Sequence, residues 1–345
     1  MPLKLKEELL SFPTVREALL FTPSNGRVVC NLCERRCKIP DGSLGFCKAR
    51  GNIGGRLYTL VYGDISSISA NPIEKKPFFH FYPGTTALTV GTWGCNFTCP
   101  WCQNWEISKF EANPAKANYI PPERLIELTL KCHCRGISIS FNEPTLLFEY
   151  SLDLFKLARE KGLYTNYVSN GYMTSEALKM LEAGMDAIKI DVKGDTQTVR
   201  RYCGAEVDKV WSRAEEAKKM EVHVEIVALL IPGVNDSEAS IKGVAWNVLE
   251  RLGRDTPLHF TRYWPSYKFN NMPTPIETVE RACKLAREIG LNYVYVGNVA
   301  GHRYENTYCP RCDVLLIERR GIQLLRNMLT NGACWNCGLK IPIVR

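Results

Sequence analysis

Short apolar runs alternate with amphipathic stretches along most of this chain, from about residue 86 onward. Runs of this kind are typical of strands that are buried on both faces of a parallel sheet. Six such strands with helical patterns between them predict an α/β fold that is a barrel or part of one. The predicted strands are residues 87–93, 136–141, 165–169, 187–190, 223–231 and 258–263, and residues 293–297 could add a seventh.

The stretches between the strands carry the signals of helix ends. Residues 122–130 begin after a Pro pair, and residues 174–183 open with Thr and Ser, which are good N-caps. Thr274-Pro-Ile-Glu277 predicts a capping box with Pro at the first helical position. Further helices are predicted over residues 146–158 and after Asp236.

Three cysteines with C-x3-C-x2-C spacing, Cys95, Cys99 and Cys102, follow the first predicted strand. Three thiolates can hold three irons of a [4Fe–4S] cube, so the fourth iron can bind a substrate or cofactor. A zinc knuckle is the alternative, but it needs a fourth ligand, and no other Cys or His lies within ten residues of the triplet. The spacing therefore predicts an open iron–sulfur site.

Polar, Gly or Pro residues also follow the later predicted strands. In α/β barrels the active site gathers at the carboxyl ends of the strands, so these residues are candidates for binding and catalysis. In strand order they are Glu143, then Ser169 and Asn170, then Asp191 and Lys193, then Pro232, and finally His259 on the sixth strand itself.

The triplet, with Trp101 at its aromatic position and a six-unit β/α core around it, resembles the radical S-adenosylmethionine (SAM) superfamily. The resemblance implies a partial (β/α)6 TIM-like barrel and a [4Fe–4S] cluster whose open iron binds the amino and carboxylate groups of SAM. It also implies reductive cleavage of SAM to methionine and a 5′-deoxyadenosyl radical, which abstracts a hydrogen atom. The protein then orients the cofactor and excludes side reactions.

The family's Gly-Gly-Glu-Pro segment corresponds here to Phe141-Asn142-Glu143-Pro144, which lacks both glycines. The resemblance implies that Glu143 accepts a hydrogen bond from the SAM ammonium, which requires an anionic acceptor. It places Ser169 and Asn170 against the ribose or the carboxylate of SAM.

Asp191 and Lys193 match an Asp-x-Lys of the pyruvate formate-lyase-activating-enzyme branch, and Pro232 lies in that branch's segment near the adenine. An ordinary strand-end role stays open for both charged residues. His259 would contact SAM or the substrate, or else support its neighbours in the core.

A closer resemblance, over residues 28–345, is to the radical SAM enzymes of the AmmeMemoRadiSam system. It depends on Arg201-Tyr-Cys203-Gly-Ala, on the residues around His259 and on the cysteine spacings at both ends. The implied partners are a Memo-like protein, an AMMECR-type protein and a ferredoxin- or flavodoxin-like electron donor. Cys203 is a candidate catalytic residue that could quench or hold a radical, and a small buried thiol is the alternative.

Two groups of four cysteines flank the core. The N-terminal C-x2-C-x3-C-x9-C spacing predicts a site for zinc or an auxiliary [4Fe–4S] cluster, and two C-x2-C pairs near the end predict a closed site for zinc or a rubredoxin-type iron. The predicted modules are residues 1–85, 86–300 and 301–345. The N-terminal ligands are Cys30, Cys33, Cys37 and Cys47, and the C-terminal ligands are Cys309, Cys312, Cys334 and Cys337.

The net charge of +8 comes from the terminal cysteine regions, with +5 in residues 27–56 and +4 in residues 309–345. This surplus indicates an acidic protein partner or a nucleic acid, or a solvated surface around metal thiolates.

No apolar run approaches the ~20 residues of a membrane span, and residues 1–13 lack the apolar core of a signal peptide. We therefore expect no membrane partner and a cytoplasmic location, where fifteen cysteines indicate metal rather than disulfides.

The leading hypothesis is a radical SAM oxidoreductase that takes hydrogen from an unidentified substrate. A protein substrate is included because the resemblance reaches glycyl-radical activating enzymes. The alternatives are a radical SAM enzyme that modifies RNA or a lipid, and a non-enzymatic metal-binding adaptor. An adaptor has no need of Glu143, Asp191 and Lys193 after successive strands.

Overall fold

The alternating pattern produces parallel strands in each of two units of the chain. A computed structural model describes residues 5–345, so residues 1–4 of the predicted N-terminal module lie outside the described part. One unit contains residues 5–70 and Ala87–Asp186, and the other contains Asn71–Thr86 and Ala187–Arg345. Within residues 5–345, no helix is both long enough and apolar enough to span a bilayer.

Two small antiparallel sheets form the first part of the first unit, with strand orders β1-β6-β5 and β2-β3-β4. The N–H of Cys30 donates to the carbonyl of Cys37 at 2.9 Å and closes the loop that carries Cys33. The strands are β1 (Arg16–Glu17), β2 (Phe21–Ser24), β3 (Arg27–Cys30), β4 (Lys38–Pro40), β5 (Arg50–Ile53) and β6 (Arg56–Thr59).

The same unit contains the first three predicted core strands. They are β8 (Thr86–Gly91), β9 (Gly136–Ile139) and β10 (Tyr164–Ser169), preceded by β7 (Ser67–Pro72). β8 pairs with β9 and β9 with β10, both in parallel, and almost all of their residues are buried. A Cβ on Gly136 would lie 2.0 Å from the Tyr164 ring, so glycine permits the close approach of β9 and β10.

Helices of the first unit begin where the sequence signals place them. Pro122 occupies the first turn of the helix that begins there, where a missing N–H costs nothing. The Thr174 side chain caps the helix that begins at Ser175 by accepting from the N–H of Ala177 at 3.2 Å. The helices are α1 (Trp105–Ser108), α2 (Pro122–Lys131), α3 (Phe148–Glu160) and α4 (Ser175–Glu182).

The second unit contains four parallel strands in chain order, β11 (Ala187–Val192), β12 (His223–Leu230), β13 (Leu258–Arg262) and β14 (Val294–Gly297). The predicted seventh strand is therefore present as β14, and the α/β class is confirmed. The helices are α5 (Thr196–Thr198), α6 (Val207–Lys219), α7 (Glu238–Leu252) and α8 (Ile276–Ile289). Single 3-10 turns occupy Glu7–Ser11, Ile73–Lys75, Pro114–Lys116, Pro144–Leu147 and Arg303–Glu305, and a π turn occupies Val199–Cys203.

The predicted capping box at Thr274 is wrong. α8 begins at Ile276 after Pro275, with no side-chain cap. The Thr274 hydroxyl instead donates to the carbonyl of Leu230 at 2.6 Å and accepts from the N–H of Tyr263 at 2.9 Å. It connects the carboxyl ends of β12 and β13, and this tertiary contact outcompetes the local cap.

The chain ends in a small antiparallel sheet of order β15-β16-β17, formed by β15 (Thr307–Tyr308), β16 (Leu315–Arg320) and β17 (Gln323–Asn327). Its core includes Leu316 and Ile317 together with Phe79 and Tyr295 of the same unit. Two of the C-terminal cysteines, Cys309 and Cys334, are buried in this cluster.

A buried carboxylate connects residues 71–86 to the strands of the second unit. Glu225 on β12 accepts from the N–H groups of Phe79 (3.0 Å) and His80 (2.8 Å) and from the imidazoles of His223 (3.0 Å) and His259 (2.7 Å). Burial alone would raise the pKa of Glu225, but the hydrogen bonds from both histidines hold that pKa below its usual range. Glu225 therefore stays ionised in the core.

Replacing Glu225 with Gln tests this anchor, because the amide places an N–H₂ group against imidazole donors. We expect Glu225→Gln to lower the free energy of unfolding in urea by about 2–4 kcal/mol. The lowered pKa means that Glu225 stabilises the fold above about pH 5 and that this stabilisation is lost as the pH falls below about 4. The difference between the two proteins should therefore shrink in acid.

The exposed Glu250 offers a matched control, and Glu250→Gln should change the free energy of unfolding by less than about 0.5 kcal/mol. Equal stability of wild type and Glu225→Gln at neutral pH would contradict the proposed role of this carboxylate.

Candidate functional site

The cysteine triplet lies in the loop that leaves the carboxyl end of β8. One amide side chain braces this loop: Asn142 Oδ1 accepts from the N–H of Thr92 at 3.1 Å, and Asn142 Nδ2 donates to the carbonyl of Gly94 at 2.8 Å. The residue before Asn142, Phe141, adopts a left-handed φ of 69°. Phe141 and Asn142 replace the Gly-Gly pair of the resembled family, so the first position keeps a conformation that favours glycine while the second gains a loop-bracing side chain.

The sulfur atoms of the triplet sit in polar surroundings. The N–H of Phe97 donates to Cys95 Sγ at 3.4 Å, and Cys102 Sγ lies 3.1 Å from the Ser108 hydroxyl. Burial raises the pKa of the Cys95 thiol, and the negative charges of Glu143 and Cys99 raise it further. These groups therefore share one buried site, in which a bound cation would favour the thiolate form of Cys95.

Glu143 follows β9 and is almost fully buried, with 1% of its surface exposed. Its Oε1 accepts from the N–H of Thr145 (3.1 Å), the Thr145 hydroxyl (2.5 Å) and the Ser169 hydroxyl (2.8 Å), and its Oε2 accepts from the N–H of Asn170 (2.9 Å). Burial raises the pKa of Glu143, and these hydrogen bonds oppose the rise. The structure thus brings together three predicted site residues, Glu143, Ser169 and Asn170, at the ends of β9 and β10.

Asn96 connects this carboxylate to the cysteine loop, and sequence reasoning missed it. Asn170 Nδ2 donates to Asn96 Oδ1 at 2.7 Å, and Asn170 Oδ1 accepts from the N–H of Tyr172 at 3.0 Å. Within residues 5–345, the fully buried Nδ2 of Asn96 has no hydrogen-bond acceptor. The one available signal was its place directly after Cys95. An unpaired buried donor beside a thiol site favours an acceptor supplied by a bound group.

The four N-terminal cysteines of the same unit line one cavity, together with Arg50 and Asn96. Burial raises the pKa of the Cys33 thiol, and Cys30, Cys47 and Cys37 raise it further, so the four sulfurs are close enough to interact. The structure therefore gathers all four predicted ligands at one place.

In the second unit, Asp191 at the end of β11 pairs with two lysines. Lys193 Nζ donates to Asp191 Oδ2 at 3.1 Å, and Lys189 Nζ donates to Asp191 Oδ1. Burial would raise the pKa of Asp191, but the two ammonium groups lower it to about 2. Lys189 was missed from the sequence, although its i, i+2 spacing from Asp191 on a strand places both on one face.

The segment around Pro232 is tied to this charged group. Asn235 Nδ2 donates to the carbonyls of Lys193 (3.2 Å) and Leu229 (2.8 Å), and Asn235 Oδ1 accepts from the N–H of Ile231 at 2.7 Å. Pro232 itself accepts from Asn271 Nδ2 at 2.8 Å. The Asp-x-Lys and Pro-Gly motifs are thus neighbours.

Two other candidates of the second unit lie deeper. His259 is 1% exposed and its Nε2 is bonded to Glu225 Oε2, so this ring nitrogen is already occupied. Cys203 is fully buried at the end of the π turn, just before Gly204. Their roles in binding and catalysis stay predictions.

The C-terminal cysteines gather their four sulfur atoms at one place. Their four Sγ atoms all lie within 4.8 Å of one another, with Cys309 and Cys337 3.5 Å apart and Cys312 and Cys334 3.7 Å apart. A single ion with bonds of about 2.3 Å needs an edge of about 3.8 Å between sulfurs. The geometry therefore fits one bound metal ion.

Both halves of this site use the same turn. The N–H of Asp313 donates to the carbonyl of Cys309 at 2.9 Å, and the N–H of Gly338 donates to that of Cys334 at 2.9 Å. The donors have left-handed φ values of 54° and 71°. Asp313 thus adopts the same turn as Gly338.

Comparison with known proteins shows which superfamily the region around the cysteine triplet matches. Residues 89–241 match the Radical SAM superfamily. The chain is 42% identical to the uncharacterized protein MJ0808 of Methanocaldococcus jannaschii, over 96% of this chain and 100% of that protein. It is 26% identical to a putative glycyl-radical enzyme activating enzyme, MJ1632, of the same organism, over 68% of this chain and 84% of that protein.

The fold agrees with this assignment. The crystal structure of a radical SAM methyltransferase from Sphaerobacter thermophilus matches with a TM-score of 0.51 and 14% identity, over 63% of this chain and 67% of that one. With the sequence match around the cysteine triplet, these findings show that the chain is an enzyme with a radical SAM superfamily domain over residues 89–241.

Proposed function

We propose that Cys95, Cys99 and Cys102 hold a [4Fe–4S] cluster and that the enzyme uses it with SAM to take a hydrogen atom from a protein or peptide substrate. The observation that carries this proposal is the hydrogen-bonded chain from the cysteine loop through Asn96 and Asn170 to Glu143. Such a cluster, with SAM on its open iron, supplies an electron for cleaving SAM to methionine and a 5′-deoxyadenosyl radical.

The residues of the first unit fit these groups. Three thiols give the triplet one ligand fewer than a closed cluster needs. The unpaired Nδ2 of Asn96 offers a donor to a sulfide or carboxylate. Glu143 offers an oriented carboxylate for the SAM ammonium, and the Thr145 and Ser169 hydroxyls can rotate their protons away from Oε1 to admit it.

For the residues of the second unit, we propose the roles that follow from their resemblance to the pyruvate formate-lyase-activating-enzyme branch. Lys189 and Lys193 keep Asp191 ionised, so the group carries fixed charge that can orient the polar parts of SAM. Pro232 is proposed to contact the adenine. His259 remains a proposed contact to SAM or substrate, and Cys203 remains a candidate catalytic residue that quenches or holds a radical or ligates a cluster.

A protein substrate is favoured by the similarity to a putative glycyl-radical enzyme activating enzyme. A nucleic acid is less well supported, because much of the positive charge in residues 27–56 is neutralised. Ion pairs to acidic residues outside that segment are Arg36–Glu176, Arg50–Glu149 and Arg56–Glu17. We propose a ferredoxin- or flavodoxin-like electron donor, with Memo-like and AMMECR-type proteins as further partners.

The C-terminal four-cysteine site is proposed to hold zinc or a rubredoxin-type iron. The hydrogen bond from Asn336 lowers the pKa of the Cys312 thiol to about 6, whereas burial raises that of Cys309 to about 12. The Cys312 sulfur is thus ready to bind a cation at neutral pH, whereas the metal itself must displace the proton of Cys309.

Reductive cleavage of SAM tests the main proposal. The anaerobically reconstituted protein, reduced with dithionite and given SAM, should release 5′-deoxyadenosine, measured by chromatography. Cys95→Ala should reduce the product to the level of a sample without enzyme, because two thiolates cannot retain the cube. The matched control is Cys132→Ala, since Cys132 is exposed, and it should keep wild-type activity. No product from the wild type, or undiminished product from Cys95→Ala, would refute the proposal.

Removal of one C-terminal ligand tests the second metal site. We expect Cys309→Ala to contain about one metal ion fewer per chain than the wild type, measured by elemental analysis. Its free energy of unfolding should be lower by several kcal/mol, because metal binding contributes to folding. An iron site would also lose its visible thiolate absorption, which a zinc site lacks. Unchanged metal content in Cys309→Ala would contradict the assignment, and Cys132→Ala again serves as the control.

A further inference from the structure

The two four-cysteine groups differ in the spread of their sulfur atoms. Within residues 5–345, the C-terminal group is the set of metal-ligating side chains whose ligand atoms all lie within 4.8 Å of one another, and the N-terminal four do not form such a set. A single ion requires sulfurs about 3.8 Å apart. A cube carries its irons outward from the centre, so its four thiolates stand farther apart. The N-terminal four therefore lack the close spacing that a single ion requires, as expected for the ligands of a cluster.

The triplet gives an internal comparison. The sulfur atoms of Cys95, Cys99 and Cys102 also do not all lie within 4.8 Å of one another, and their sequence spacing and the superfamily match imply a [4Fe–4S] cluster. In this respect the N-terminal four resemble the proposed cluster ligands and differ from the proposed single-ion site.

Arg50 supplies an independent sign of a bound group at the N-terminal cysteines. Its side chain lines their cavity and is 1% exposed, and one end of its guanidinium pairs with Glu149. The other polar atoms, Nε and Nη1, are buried and have no acceptor within residues 5–345. Leaving two charged N–H donors unpaired costs several kcal/mol, so a bound acceptor is expected. Thiolates and inorganic sulfides of a cluster are such acceptors, and the guanidinium would offset part of their negative charge.

The N-terminal cavity directly adjoins the triplet loop. Asn96, which follows Cys95, lines the cavity. Gly94 has a φ of 85°, and a Cβ there would lie 2.2 Å from the carbonyl of Cys47, so only glycine allows this contact. Arg35, another lining residue, donates through Nε to the carbonyl of Asn96. The two cysteine sites are therefore separated by little more than one loop.

We propose that Cys30, Cys33, Cys37 and Cys47 hold a second [4Fe–4S] cluster, next to the one held by Cys95, Cys99 and Cys102. Four protein ligands close this cluster, so it has no open iron for a substrate. The position beside the triplet suits an electron carrier. The proposal concerns a cofactor site and does not depend on SAM cleavage.

Acid-labile sulfide tests the proposal, because single-ion sites contain none. We expect anaerobically reconstituted wild type to hold about eight sulfides per chain, and the triple variant Cys95→Ala, Cys99→Ala and Cys102→Ala to hold about four with about four irons. That variant should still give the electron paramagnetic resonance signal of a reduced cluster. Adding Cys33→Ala and Cys47→Ala should remove both sulfide and signal, whereas adding Cys132→Ala should preserve them.

About four sulfides in wild type, or a folded triple variant with one zinc or iron at the N-terminal site and no sulfide, would overturn the proposal. The number of sulfides per wild-type chain distinguishes one cluster from two even if the triple variant does not fold. A wild type with about eight sulfides that makes no 5′-deoxyadenosine would refute SAM cleavage and leave the second cluster standing.

Discussion

The buried carboxylate of Glu143 is the interaction on which the site of the first unit depends. Four donors from Thr145, Ser169 and Asn170 fix its two oxygens, and the Asn170–Asn96 contact extends this order to the residue after Cys95. Because the donors come from the ends of two neighbouring parallel strands, the sheet itself sets the position of the carboxylate. A carboxyl group held in this way is oriented for a cationic ligand before the ligand arrives.

Polar residues in the core of each unit form hydrogen bonds with partners from distant parts of the chain. The sequence therefore predicts features that depend on neighbouring residues better than features that depend on such distant contacts. Strands and most helix starts are set by local patterns, so the sequence predicts them well. Asn96, Lys189 and Glu225 became visible as functional or structural groups only through tertiary contacts. Thr274 is the opposite case. Its local sequence predicts a helix cap, but its hydroxyl forms hydrogen bonds at the ends of two strands instead.

The cysteines of the chain form three groups that differ in the spacing of their sulfur atoms. The C-terminal set has the close spacing of a single-ion site, and the triplet and the N-terminal group have wider spacing. An adaptor that only binds metal is excluded by the superfamily match, which places the triplet in an enzyme. Part of the basic surplus of the N-terminal region is neutralised within the chain, because Arg50 pairs with Glu149 in the interior and Arg36 pairs with Glu176 at the surface. The cysteine chemistry, rather than the surface charge, therefore characterises this protein.

The affinity for SAM of the cluster-loaded protein tests the central role of Glu143 most directly. Anaerobic calorimetry should show binding about 10- to 100-fold weaker in Glu143→Gln, because a charge-assisted hydrogen bond to the ammonium is lost. Iron content should stay at the wild-type level, and Glu123→Gln on the exposed face of α2 should bind SAM as the wild type does. Unchanged affinity in Glu143→Gln with a full cluster would contradict the account.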